Sequence, residues 1–281
     1  MMGYLQVLGA VSIWAFFNGY LVKGIKTSGV GVGTWTAMVG ILVSYLFFNV
    51  NSYGRLDTYQ SIMVICLGIF AALNNALGYT AIKISIPIAL LFHYLAPVFV
   101  PIWGLIFPIF YQPLNLTGIS AIGIALVGMV FLTASSFQNN SWKLTIFGLG
   151  SAIFYSLEIV FSGYVSKSLH IPAETSAFMK LAFQAMIMPI AAIIFKESLK
   201  VENGKEWLKI ILGGSLLYIS FILFFSGAET VKSSVQLGVL GYIDRVGAIV
   251  LGAYFFKEKM SRNTVMGGLL ILGAGILVLF Q

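Results

Sequence analysis

Ten apolar runs of about twenty residues, parted by short polar breaks, restrict this chain of 281 residues to one kind of fold. A helix needs about 20 residues to cross the hydrocarbon core of a bilayer. The runs fall at roughly 3–22, 31–49, 61–81, 85–110, 116–134, 144–166, 174–195, 208–228, 233–256 and 263–280. Charged residues make up 9% of the chain and hydrophobic ones 59%, against about 25% and about 45–50% in soluble domains. Polar groups are too few to cover a globule in water, so lipid must face the surface. The expected fold is all-α: a polytopic membrane protein with ten transmembrane helices, multi-pass in the cell (plasma) membrane. No length remains for a soluble catalytic domain. Met1–Tyr4 lacks the basic region that opens a secretory leader, so none is expected to be removed.

The polar breaks carry the remaining charge. The net charge of +7 is scattered between the apolar runs. That pattern excludes a nucleic-acid partner, which needs a basic patch, and reads as a topology signal. With these spans one side holds Lys23, Lys26, Lys83, Lys143, Lys196, Lys200, Lys205, Lys209, Lys257, Lys259 and Arg262, and the other Arg55, Lys167 and Lys232. The positive-inside rule then places both termini outside. The longest polar segment, Lys196–Lys209, alternates in sign and is solvated. The fourth span carries Pro87, Pro97, Pro101 and Pro108 and reads as one kinked helix, with a re-entrant break as the rival. A single cysteine, Cys66, excludes an intramolecular disulfide.

The chain is internally repeated. An offset of 144 aligns Ser12 with Ser156, Phe17 with Phe161, Gly19 with Gly163, Tyr20 with Tyr164 and Lys23 with Lys167. An offset of 148 aligns Tyr94 with Tyr242, Val98 with Val246, Gly104 with Gly252, Phe107 with Phe255 and Asn115 with Asn263. Two sets at nearly one offset divide the chain into halves, 1–138 and 139–281, of five spans each. An odd number of spans turns the second half upside down in the bilayer. Inverted repeats of this kind place a binding site near the midplane, between the halves. The fifth and tenth spans carry Gly118, Gly123 and Gly128, and Gly267, Gly268, Gly273 and Gly275, and no charge. They read as closely packed scaffold.

Several segments carry a family resemblance. The second half closes on Phe255-Phe256-Lys257-Glu258-Lys259-Met260-Ser261 and then Gly267-Gly268-Leu269-Leu270-Ile271-Leu272-Gly273-Ala274-Gly275. This resembles the end of an EamA domain in the drug/metabolite transporter superfamily. Tyr94-Leu95-Ala96-Pro97-Val98 resembles the fourth helix of such a repeat, and the run Gly9 to Ala15, ending in Trp14-Ala15, its opening helix. Three places depart from the pattern: Phe110-Tyr111-Gln112 replaces the first acidic loop, Asp244-Arg245 replaces an acid–proline pair, and Lys180 replaces a common arginine, with Thr36 at that position in the first half. The resemblance implies secondary transport of a small molecule and, unlike the charge count, cytoplasmic termini.

Ionisable residues inside spans are the sharpest functional signal, because each is costly in lipid unless paired or wet. They are His93, Glu158, Lys180, Asp244 and Arg245, and with neutral histidine their charges cancel. Glu158 resembles the membrane glutamate of small multidrug-resistance relatives, which implies proton coupling; the alternative is an ion-pair partner. Asp244 and Arg245 are adjacent, so their side chains diverge by about 100° and are expected to serve different partners. Arg245 is either a substrate carboxylate clamp or a link to Glu158. Lys180 shares a face with Gln184, and either faces the site or snorkels to an interface. His93 is either a helix-to-helix hydrogen-bond donor or a substrate contact. Asn74, Asn75 and Tyr79 mark the third span, and Trp14 and Asn18 the first. Tyr94 and Tyr242 are repeat mates expected to face each other across the site. The expected substrate-binding set is Trp14, Asn18, Asn75, Tyr79, His93, Tyr94, Lys180, Tyr242, Asp244 and Arg245, with Glu158 for coupling.

Two histidines and one cysteine supply no metal cluster and no nucleophile–base set, so neither an enzyme nor a bound cofactor is expected. A channel would need a repeated ring or carbonyl filter. The expected activity is alternating-access transport of a small polar metabolite, an amino acid or related zwitterion first, by a monomer or a homodimer. The alternative substrate is an organic cation such as a quaternary amine, held in an aromatic cage.

Overall fold

The computed structural model describes residues 2–47, 56–107, 116–138, 142–231 and 234–278. Among them, nine helical segments are long and apolar enough to cross a membrane: Met2–Gly24, Gly29–Phe47, Thr58–Ile84, Ile86–Ile106, Leu116–Ala134, Trp142–Lys167, Ala173–Phe195, Gly204–Ala228 and Leu237–Phe256. A tenth apolar helix, Arg262–Val278, is shorter at 17 residues. We number these as spans one to ten. Pro108, Phe110-Tyr111-Gln112, Asn115, Arg55, Lys232 and Gln281 lie outside the described residues.

The bundle is apolar outside and polar at depth, as lipid requires. Leu116, Ile193, Ile194 and Leu208 stand exposed, while Glu158, Lys180, Asp244 and Arg245 are buried. Backbone groups in lipid must be satisfied within the segment, and side chains cap the helix ends that emerge. Asp57 and Gln60 form a reciprocal capping box on span three. Asn203 accepts from the Glu206 N–H at the start of span eight.

Three spans are not continuous α-helix. Span one widens into a π-turn over Phe17–Leu21, where Gly19 lets the backbone of Ala248 approach. Span four divides into Ile86–His93 and Ala96–Ile106, with a tight turn at Tyr94 and Leu95. Pro97 cannot donate to its preceding turn, and the residue before it is disfavoured in a helix. The chain bends and continues, so the kinked reading holds over the re-entrant one. Span nine breaks likewise at Gly241, between Ser234–Leu240 and Tyr242–Phe256.

The helix pairings come in matched sets. Span one packs on spans eight and nine, as span six packs on spans three and four. Span three packs on span seven, as span eight packs on span two. Spans two and seven pack on each other, and so do spans five and ten. In the last pair a Cβ on Gly128 would lie 2.9 Å from the Gly267 carbonyl oxygen, and one on Gly267 2.7 Å from that of Gly128. Only glycine at both positions permits that approach.

Candidate functional site

Spans one, three, four, six, seven, eight and nine converge on one cavity of about 40 Å³, enough for a few water molecules. Its wall includes Trp14, Asn18, Asn75, Tyr79, His93, Glu158, Lys180, Asp244 and Arg245. All four charged members come from the second half of the chain. The first half supplies amides, rings and the histidine.

Two ion pairs set the electrostatics. Lys180 Nζ pairs with Glu158 Oε1, and Arg245 Nη1 with Asp244 Oδ2. Lys180 is 3% exposed, which removes the snorkelling alternative. The expectation that Asp244 and Arg245 serve different partners is corrected. Their Cβ directions diverge, but the long arginine side chain folds back onto the neighbouring carboxylate. Asn18 Nδ2 lies 3.4 Å from Asp244 Oδ1, and the guanidinium carbon sits 4.6 Å from the centre of the Tyr155 ring. Glu158 meets Lys180 instead of Arg245, so the Arg245–Glu158 link is also corrected.

A chain of hydrogen bonds extends from the first pair. Asn74 Nδ2 donates to Glu158 Oε2 at 2.8 Å, and Ser151 Oγ donates to Asn74 Oδ1 at 2.7 Å. Ser151 in turn meets His93 Nε2. One hydroxyl has one proton, so with Ser151 donating to Asn74 the imidazole would be the donor at Nε2. His93 thus bridges helices and also lines the cavity, and its ring stacks on Tyr155 at 5.3 Å. Gly78 makes room for this contact, since a Cβ there would lie 2.8 Å from Ser151 Oγ.

Behind the wall, Asn75 donates to Gln184 at 2.7 Å, and Gln184 to the Gly33 carbonyl at 3.0 Å. Trp14 donates its indole N–H to Ser220 at 2.7 Å. Its ring packs beside Phe221 and Phe224, at 5.9 and 5.0 Å. The Lys180 ammonium lies 3.8 Å from the Phe221 ring centre and 5.5 Å from that of Trp14.

Tyr94 and Tyr242 meet, but not across the cavity, and neither lines it. Their rings lie edge to face at 4.6 Å, and the Tyr242 hydroxyl donates to the Tyr94 carbonyl at 2.7 Å. That carbonyl is freed by the break, because the Val98 N–H bonds to Leu95 instead. These two residues brace the breaks in spans four and nine. Sequence reasoning passed over Ser151, Tyr155 and Phe221. Ser151 and Tyr155 stand seven and three residues before Glu158 and share its helix face, a signal that periodicity carries. Phe221 has no such signal. Among the described residues, no three His, Cys, Asp or Glu side chains gather so as to hold a metal ion.

Comparison with known proteins adds identity to this geometry. Residues 142–280 match the EamA-like transporter family. A relative described as the uncharacterized transporter YojE of Bacillus subtilis (strain 168) is 26% identical over 180 residues, covering 61% of this chain. The match spans 54% of that relative, about half its length. A solved structure titled only "Crystal structure of protein" superposes with a TM-score of 0.67 at 20% identity, over 99% of this chain and 97% of that one. It shares the fold. The end of the second half, read above as resembling an EamA domain, falls within the matched residues. Residues 142–280 belong to the EamA-like transporter family, and the chain that carries them is a multi-pass integral membrane protein.

Proposed function

We propose that the chain is a secondary transporter that moves a small polar zwitterion, an amino acid or close relative, by alternating access. One observation carries this reading: two opposite charge pairs, amides and aromatic rings line a single buried cavity fed by both halves of the chain. In lipid such groups are costly unless they serve a wet or occupied site. A zwitterion matches the charge content. Its carboxylate suits Arg245, whose Nε meets no hydrogen-bond partner among the described residues, and its ammonium suits a carboxylate. About 40 Å³ is open beside these groups, so such a solute enters only if the walls move apart.

Glu158 is the proposed coupling group. It contacts Lys180 and Asn74, with Asp244, Arg245 and His93 elsewhere on the same wall. A proton or a substrate ammonium could each take the place of its lysine partner. A second reading, an organic cation, draws on the Phe221 and Trp14 rings around the Lys180 ammonium. Arg245 in the same wall favours the zwitterion.

The test is a thermal-shift screen of purified protein against amino acids, quaternary amines and nucleosides, since selective ligands raise the melting temperature by mass action. Stabilisation by one group of amino acids is expected. Stabilisation by quaternary amines alone would replace the substrate proposed here. Glu158→Gln in proteoliposomes is expected to abolish uptake driven by a pH gradient, and unchanged uptake removes Glu158 as the coupling site.

A further inference from the structure

We propose that Lys180 is a tethered occupant of an ammonium subsite built by Glu158, Phe221 and Trp14, and that an amine-bearing solute binds by displacing it. The inference rests on reading the cavity as a substrate site, and it names which wall takes the amine. The Lys180 ammonium pairs with Glu158 Oε1 and lies 3.8 Å from the Phe221 ring centre. A carboxylate beside an aromatic face is the environment that a primary ammonium ion selects.

Glu158 and Trp14, two of the three walls of this subsite, are held by something other than Lys180. Asn74 holds the second oxygen of Glu158 at 2.8 Å, and Ser151 fixes that amide in turn. Ser220 anchors the Trp14 indole at 2.7 Å, and Phe224 supports its ring at 5.0 Å. These two walls therefore keep their place when the lysine leaves. Lys180 itself is held at its tip by one carboxylate and two ring faces, on a flexible four-carbon stem. With only about 40 Å³ open beside it, a solute needs the volume that the stem and ammonium fill. Once released from Glu158, the same ammonium is free to meet the solute's carboxylate.

An internal competitor lowers apparent affinity by the fraction of time it occupies the site. Deleting it therefore has an unusual sign. Lys180→Ala is expected to bind butylammonium at least about tenfold more tightly than the unaltered protein, read by thermal shift and calorimetry in detergent. Butyrate is expected to gain nothing. The double variant Lys180→Ala/Glu158→Gln is expected to lose the butylammonium gain. If Lys180→Ala is unstable on extraction, butylammonium in the buffer is expected to recover it, and failure to do so overturns the proposal. Equal or weaker amine binding by Lys180→Ala also overturns it, as does an equal gain for butyrate or for the double variant. None of these readouts involves transport. A negative result leaves the transporter reading in place, and a failed substrate screen leaves the subsite in place.

Discussion

Tyr242 satisfies a carbonyl that the break in span four sets free, at a depth where water is scarce. Removing its hydroxyl leaves the Tyr94 carbonyl unpaired and buried, at a cost of about 1–3 kcal/mol. Tyr242→Phe is expected to lower the melting temperature in detergent at unchanged helix content by circular dichroism. An unaltered melting temperature would show that another donor takes over. The repeat offset finds this pair in the sequence but cannot say which way the rings point, and in the structure neither lines the cavity. Charged residues were legible because an ion inside an apolar run has few other uses. Phe221 was not, since it is one of 23 phenylalanines, and only a neighbouring ammonium distinguishes it from those that meet lipid. The Asp244–Arg245 pair was missed for a different reason: a helical wheel fixes Cβ directions and ignores the reach of a long side chain.

Two short stretches join the halves at one end of the bundle, and they use the same residues. Phe195-Lys196-Glu197 closes span seven, and Phe256-Lys257-Glu258 closes span nine. Each lysine turns left-handed, at φ 55° and 52°, and each glutamate then reaches a helix start in the first half. Glu197 accepts from the Val30 N–H at 3.2 Å, and Glu258 from the Ile86 N–H at 3.0 Å. Negative charge at a helix N-terminus stabilises the free N–H groups found there. Glu258 also pairs with Lys23, and Glu206 accepts from the Lys26 N–H at 2.7 Å. Alternating access would require this latch to open. Glu197→Gln and Glu258→Gln together are expected to destabilise this closed end by about 1–2 kcal/mol. In that background Ser85→Cys should react faster with a membrane-impermeant thiol reagent, and an unchanged rate would show that the latch is not what closes this end. The sequence marked the bend in span four through its prolines. It did not mark the break at Gly241 or the π-turn around Gly19 in span one, because a single glycine leaves an apolar run looking continuous.

At the scale of the whole molecule, the matched helix pairings are what a twofold axis between 1–138 and 139–281 would produce. We propose that this axis lies in the membrane plane, because five spans per half force opposite orientations. The charge count then sets the absolute direction. Among the described residues, the latch end carries Lys23, Lys26, Lys83, Lys196, Lys200, Lys205, Lys209, Lys257, Lys259 and Arg262, with Lys143 on the same side by span order, and the other end carries Lys167. Basic residues in short loops mark the cytoplasmic side. The latch would then face the cytoplasm, as would the junction between the halves, with both termini outside. Two positions five spans apart test the fold and its direction together. In a Cys66→Ser background, Gln281→Cys is expected to react with an impermeant maleimide on intact cells, and Asn140→Cys only after the cells are opened. Reaction of both on intact cells would break the five-plus-five division. The reverse pattern would keep the inverted halves, turn the molecule over, and place the latch outside.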